Sequence, residues 1–179
     1  TALGFYNCPD ALVRWLVEQG ADIDARDTYQ RTALHHRSSS WLGGVDLLLD
    51  LGADIEAQDY QGDTPLQAAA KSHKPEAVTA LIRRGAKVDA TSRQGHTVLH
   101  IALATTRNAD IEATAKIAQT LLAAGLQRDD AMLAEVQRIG REFEFHRATF
   151  NPDYLDSTDA ALASLYRLFD VTPVASRKV

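Results

Sequence analysis

The sequence predicts an all-α fold: a solenoid of stacked helix–turn–helix pairs with projecting turns, capped by two C-terminal helices. Three observations predict it. Gly20, Gly52, Gly85 and Gly125 each close an amphipathic run. A Thr-x-Leu triplet opens a second, shorter run at Thr1, Thr32, Thr64 and Thr97, at spacings of 31, 32 and 33 residues. After three of the glycines comes a turn of constant length, ADIDARD, ADIEAQD or AKVDATS.

The glycine-closed runs share one apolar stripe. Eight and seven residues before each glycine stand Leu12/Val13, Gly44/Val45, Ala77/Val78 and Ile117/Ala118. Four and three residues before it stand Leu16/Val17, Leu48/Leu49, Leu81/Ile82 and Leu121/Leu122. That spacing places one face of a helix toward a core. A glycine just past a helix adopts the left-handed backbone that lets the last carbonyls be satisfied. In the shorter runs the threonine hydroxyl accepts a backbone N–H of the first turn. Pro65 suits the first helical position, which has no N–H partner to lose.

A unit of about 33 residues, made of a turn and two helices opened by a T-P-L-H-x-A signature, resembles the ankyrin repeat. Four units, residues 1–25, 26–57, 58–90 and 91–125, cover about two thirds of the chain. None carries the whole signature: TPLQAA lacks the His, TVLHIA the Pro, TALHHR the Pro and the Ala, and TALGFY keeps least. Arg37 stands where the family has a small buried alanine, so the second unit is expected to be distorted or its first helix short. The fourth unit carries about seven extra residues in ATTRNADIEATAK, expected to lengthen its loop and second helix.

Residues 126–179 change character. Four of the five phenylalanines lie there and the turn signature stops. Met132, Val136, Ile139 and Phe143 form one helical stripe. Leu162, Leu165, Tyr166 and Phe169 form another, with Ser157 or Thr158 as its expected cap. Repeat stacks leave an apolar face at their last unit. This segment therefore reads as a cap, or as a docking surface of its own, and the two are compatible.

Composition bounds the function. Hydrophobic content of 45% suits a globular chain, and a net charge of -5 without a Lys/Arg cluster argues against nucleic acid. No apolar run approaches the roughly 20 residues that span a bilayer. Cys8 is the single cysteine, so no internal disulfide can form, and a cytoplasmic setting is the simplest expectation. The chain starts inside a repeat without an initiator Met and reads as a fragment of a longer protein.

The chemistry-bearing residues do not converge. His96 and His100 have a metal-like spacing of four, but His96 precedes the capping Thr97, so the two need not share a face. The resemblance accounts for His35 and His100 as structural residues of the T-x-L-H turn. Acid pairs such as Asp129/Asp130 and Glu142/Glu144 read as solvated helix faces. No phosphate-binding glycine loop, zinc-protease motif or nucleophile elbow occurs. The expectation is no enzyme, no metal, no cofactor and no small-molecule substrate.

The resemblance implies a partner protein bound on the concave side. Carried over unit by unit, the contact positions are Thr28, Tyr29 and Arg31, then Tyr60, Gln61 and Asp63, then Arg93, Gln94 and His96. First-helix ends add Lys71, Ser72, Ala104 and Thr105. Tyr29 and Tyr60 are read as equivalent positions of adjacent units. Trp15 reads as an exposed anchor off its helix stripe, and Trp41 as a plug beside the Ser38–Ser39–Ser40 run. Within the binding class, an immunity or antitoxin-like protein masking a toxin is one alternative. Another is the regulatory part of a larger enzyme, on the strength of the block REFEFHRATFNPDY and its His146. A spacer or oligomer contact is a third.

Overall fold

The computed structural model describes residue 3, residues 8–41 and residues 43–175. Among these residues there are nine α-helices and no strand. The opening Thr1, with most of the stretch where the sequence predicts the first unit's first helix, lies outside them.

Three first helices follow their threonines: α2 (Ala33–Ser38), α4 (Pro65–Lys71) and α6 (Val98–Thr105). The Thr64 and Thr97 hydroxyls each accept the N–H three residues on, at 3.4 Å. Four second helices precede the glycines: α1 (Asp10–Glu18), α3 (Val45–Asp50), α5 (Pro75–Arg83) and α7 (Ile111–Ala123). Gly20, Gly52, Gly85 and Gly125 have φ of +88°, +93°, +92° and +98°. The next N–H turns back onto the helix, as in Ala53 to the Leu48 carbonyl at 3.0 Å and Ala86 to Leu81 at 3.0 Å. The glycines thus end the helices as the sequence predicts.

The helices form two layers. In one, α2, α4 and α6 lie side by side and α8 (Asp130–His146) continues the row. In the other, α3, α5 and α7 lie side by side and α9 (Leu155–Phe169) continues it. The predicted stripe fills the space between them: Val13, Val45, Val78, Ala118, Leu48, Leu81 and Leu121 are all buried. Each unit hides its apolar face only against its neighbours.

The second unit is the irregular one. Both α2 and α3 have 6 residues, against 7 and 9 in α4 and α5. Arg37 is buried and donates to the Cys8 carbonyl at 2.5 Å. Trp41 does not plug a gap: it is 84% exposed. The space beside the loop is already taken by the Arg37 guanidinium, which lies against Gly44. In the fourth unit the extra residues form a one-turn 3-10 helix, Asn108–Asp110, and lengthen α7 to 13 residues.

In α8, Asp129 caps the first turn by accepting the Met132 N–H at 2.9 Å. Arg138 donates to the Leu103 carbonyl at 2.9 Å, answering the C-terminal end of α6. Glu144 is not on a solvated face. It is buried and paired with Arg147, which also binds Asp159 and so ties α8 to α9. Neither Ser157 nor Thr158 caps α9. Asn151 and Pro152 start a 3-10 turn, Pro152–Tyr154, and α9 begins directly after it, two residues before Ser157. Ser157 instead donates to Glu112 at 2.6 Å, and Thr158 is buried.

Candidate functional site

The turn tips are built by acids that look inward. The Asp27 carboxylate accepts the Tyr29 N–H at 2.8 Å and the Arg31 N–H at 2.9 Å. Asp59 does the same for Gln61 at 2.8 Å and Asp63 at 3.0 Å. Such a carboxylate replaces a backbone partner within a turn. Burial pushes the Asp27 carboxyl up, but its bonds to the Arg31 N–H, the His36 ring and the Tyr29 N–H together hold it below its ordinary value. At the crest, Gly62 has φ +78°, and a Cβ there would stand 2.9 Å from the Arg93 backbone nitrogen. Gln30 adopts the same left-handed conformation, at φ +60°.

The tips are joined to one another. Tyr60 N–H donates to the Tyr29 carbonyl at 3.0 Å, and Arg93 N–H to the Gln61 carbonyl at 2.9 Å. These bonds correct the register. Asp27 matches Asp59, so Tyr29 matches Gln61, and Tyr60 matches Thr28. The tyrosines are 31 residues apart in units that repeat, from Thr32 to Thr64, every 32. Their rings still meet, with centroids 5.9 Å apart, because the ladder bond runs between these two residues. Tyr29 is 59% exposed and Tyr60 47%. The Arg31 guanidinium lies 5.9 Å from the Tyr29 ring.

Behind the third and fourth tips is a cleft of about 150 Å³. It brings together Gln61, Asp63, Lys71, Gln94, His96, Ala104 and Thr105. Thr28, Tyr29, Arg31, Tyr60, Ser72 and Arg93 lie outside it. Ser92 and Ile101 also line the cleft, and sequence reasoning missed both. Ser92 stands where the other tips have Asp27 and Asp59, which is the signal that could have found it. Lys71 donates to Gln61 at 2.9 Å and to Asp63 at 3.2 Å. Asp63 is buried, so its carboxylate serves Lys71 rather than a surface. Thr28, Tyr29, Tyr60, Arg93, Gln94 and Ala104 are exposed, and Arg31, Gln61, Lys71, Ser72, His96 and Thr105 are half-buried.

His96 and His100 do come together: their rings stack at 4.5 Å, 8° from parallel. His35 shows why. Its Nδ1 accepts the Thr32 N–H at 3.2 Å, and its Nε2 meets the Asp63 carbonyl of the next tip at 3.0 Å. After α7 the chain enters α8 and builds no further tip for His100 to bond, and the His100 ring lies stacked on His96. The block around His146 builds the α8–α9 junction, with Phe143 edge-on to Phe150 at 5.3 Å. Among the described residues, no three His, Cys, Asp or Glu are grouped to hold a metal ion. Among them no helix is long and apolar enough to cross a membrane.

Comparison with known families agrees with this architecture. Residues 40–129, half of the chain, match the model described as "Ankyrin repeats (3 copies)", and residues 4–36 match "Ankyrin repeats (many copies)". The chain belongs to the ankyrin repeat family. Ankyrin repeats are, in general, protein–protein interaction modules. Human ankyrin repeat and SOCS box protein 6 is 38% identical over 101 residues, covering 51% of this chain and 24% of that protein. The mouse B-cell lymphoma 3 protein homolog is 40% identical over 87 residues, 46% of this chain and 19% of that protein. Zebrafish (Danio rerio) protein fem-1 homolog A is 42% identical over 60 residues, 34% of this chain and 10% of that protein. The match therefore spans a quarter or less of each of these relatives.

Proposed function

We propose that this ankyrin stack binds a partner protein, without catalysis, through its turn tips and the adjoining concave cleft. The observation that carries this reading is the Tyr29–Tyr60 pair. Two large aromatic rings stand about half exposed, touching, on a ridge whose backbone is held by its own hydrogen bonds. Tyrosine and arginine are favoured anchors because they combine area with a polar group. The cleft beside them adds the Lys71 ammonium and the His96 ring. Residues 1–125 supply this surface, and residues 126–179 cover the open end of the stack. The single Cys8 suits a cytoplasmic setting.

The test is a pull-down from native lysate with the wild-type chain and with Tyr29→Ala/Tyr60→Ala. The double variant should keep its helical circular dichroism and lose the captured partner. Trp15→Ala, on an exposed helix face away from the tips, should retain it. Equal capture by all three would overturn the assignment of this face.

A further inference from the structure

We propose that a second cleft, at the other end of α4 from the tips, binds an anionic group, a carboxylate or a phosphate, with Lys74 and Arg37 as its cations. The cleft measures about 370 Å³ and lies between the Gly43–Gly44 loop and the head of α5. Val45, Ala77 and Ala80 give it an apolar floor, and Trp41 forms one wall.

Two cations flank it. The Lys74 ammonium stands 3.0 Å from the centroid of the Trp41 ring, although Lys74 itself is buried. Burial pulls the Lys74 amine down, while the Asp110 and Glu76 carboxylates push it back up. Arg37 is 4% exposed. Among the described residues its one hydrogen bond is to the Cys8 carbonyl, and its Nε has no partner. A Cβ on Gly44 would stand 2.9 Å from Arg37 Nη1. The guanidinium therefore lies directly behind a residue of the cleft wall, with no side chain between. The next residue in the helix, Ser38, also buries an unpartnered hydroxyl.

A buried cation without a counter-ion is costly unless something answers it. Among the described residues no acid of the cleft answers Arg37, and Lys74 is answered only in part, by Asp110 and the exposed Glu76. Asp46 is held by Arg83 at 3.0 Å and Arg84 at 3.3 Å. Glu76 is exposed at the rim, and with Asp110 it serves Lys74. An oxyanion seated at Gly43–Gly44 would meet Lys74 directly and would feel the Arg37 charge through the Gly44 backbone, with no side chain between to screen it.

The experiment is an amide and side-chain NMR titration of the whole chain with inorganic phosphate at constant ionic strength. The expected result is a saturable shift of the Gly43 and Gly44 amides and the Trp41 indole N–H. A parallel titration with acetate separates a phosphate preference from a carboxylate one. Lys74→Gln and Arg37→Met should each weaken the binding about tenfold. If Arg37→Met loses its dispersed spectrum, Lys74→Gln alone decides. Shifts that grow linearly with salt and are reproduced by chloride would overturn the proposal. So would unchanged phosphate binding in Lys74→Gln.

Discussion

Gln67 donates from Nε2 to the carbonyl of His96, 29 residues further on, at 3.1 Å. Its Oε1 accepts the Thr64 N–H at 2.8 Å. One buried side chain thus closes the cap of its own helix and fastens the next tip. His35 does the same in the preceding unit, between the Thr32 N–H and the Asp63 carbonyl. An amide and an imidazole are interchangeable here because each offers an acceptor and a donor pointing opposite ways.

Gln67→Leu should therefore destabilise the chain by about 1 to 3 kcal/mol, since it orphans the buried Thr64 N–H and removes a bond to the His96 carbonyl, which keeps only the Ser92 N–H. Gln67→His should cost less than about 1 kcal/mol, because it restores both bonds. Urea midpoints of the two variants check this. An equal loss in both would show that the packing of the side chain, not its hydrogen bonding, matters.

Acid should loosen the stack through His35 and His73. Burial lowers the pKa of both rings below the ordinary histidine value of about 6.5. As pH falls through that value the unfolded chain takes up protons first, so stability is full above it and declines below. The denaturant midpoint should drop between pH 7.5 and pH 5.5. His35→Gln, copying Gln67, should flatten that drop, and an unchanged slope would contradict the role given to His35.

Gly140 of α8 faces the Tyr166 ring of α9. A Cβ there would stand 1.9 Å from the Tyr166 hydroxyl oxygen. Gly140→Ala should cost about 1 to 3 kcal/mol by overpacking, against the usual gain of alanine in a helix. Tyr166→Phe in the same chain should recover part of the loss, which a double-mutant cycle by thermal melting would measure.

Arg147 answers two carboxylates from two helices, Glu144 and Asp159. Those bonds, with burial opposing them, hold its guanidinium more firmly protonated than usual. Arg147→Met should lower stability by about 1 to 3 kcal/mol, because it removes the guanidinium that joins the buried Glu144 to Asp159 of α9. Hydrogen exchange should localise the loosening to α8 and α9 and leave α4 and α5 protected.

The helix pairs were legible because their signals are local. A threonine cap, a glycine stop and a 3.6-residue stripe need no knowledge of neighbours, and all three hold in the third and fourth units, while in α1 the stripe's Leu12 is exposed. What failed depended on who sits next door. Trp41 reads as a plug, but Arg37 already occupies the space. Glu144 reads as solvated until Arg147, three residues on, pairs with it and α9 brings Asp159 to the same guanidinium. Asp63 reads as a tip residue, yet the tip turns its carboxylate inward to Lys71. Tyr29 and Tyr60 read as equivalent although they stand 31 residues apart in a unit of 32, and the carboxylate bonds of Asp27 and Asp59 fix the slip of one.

The ladder between the tips has one more consequence. Tyr60 to Tyr29 and Arg93 to Gln61 are joined main chain to main chain. Arg26 and Arg31 add side-chain bonds between the first two tips. Among the described residues, the side chains of Thr28, Tyr29, Tyr60 and Gln94 add no hydrogen bond to the ladder. Thr28, Tyr29, Tyr60 and Gln94 can be randomised in a selection library while the array keeps its shape. Gly62 is the exception, because any side chain would strike the adjoining strand of the ladder. The crest thus keeps its most exposed side chains apart from the bonds that hold the array together, which makes it a scaffold whose surface can be rewritten.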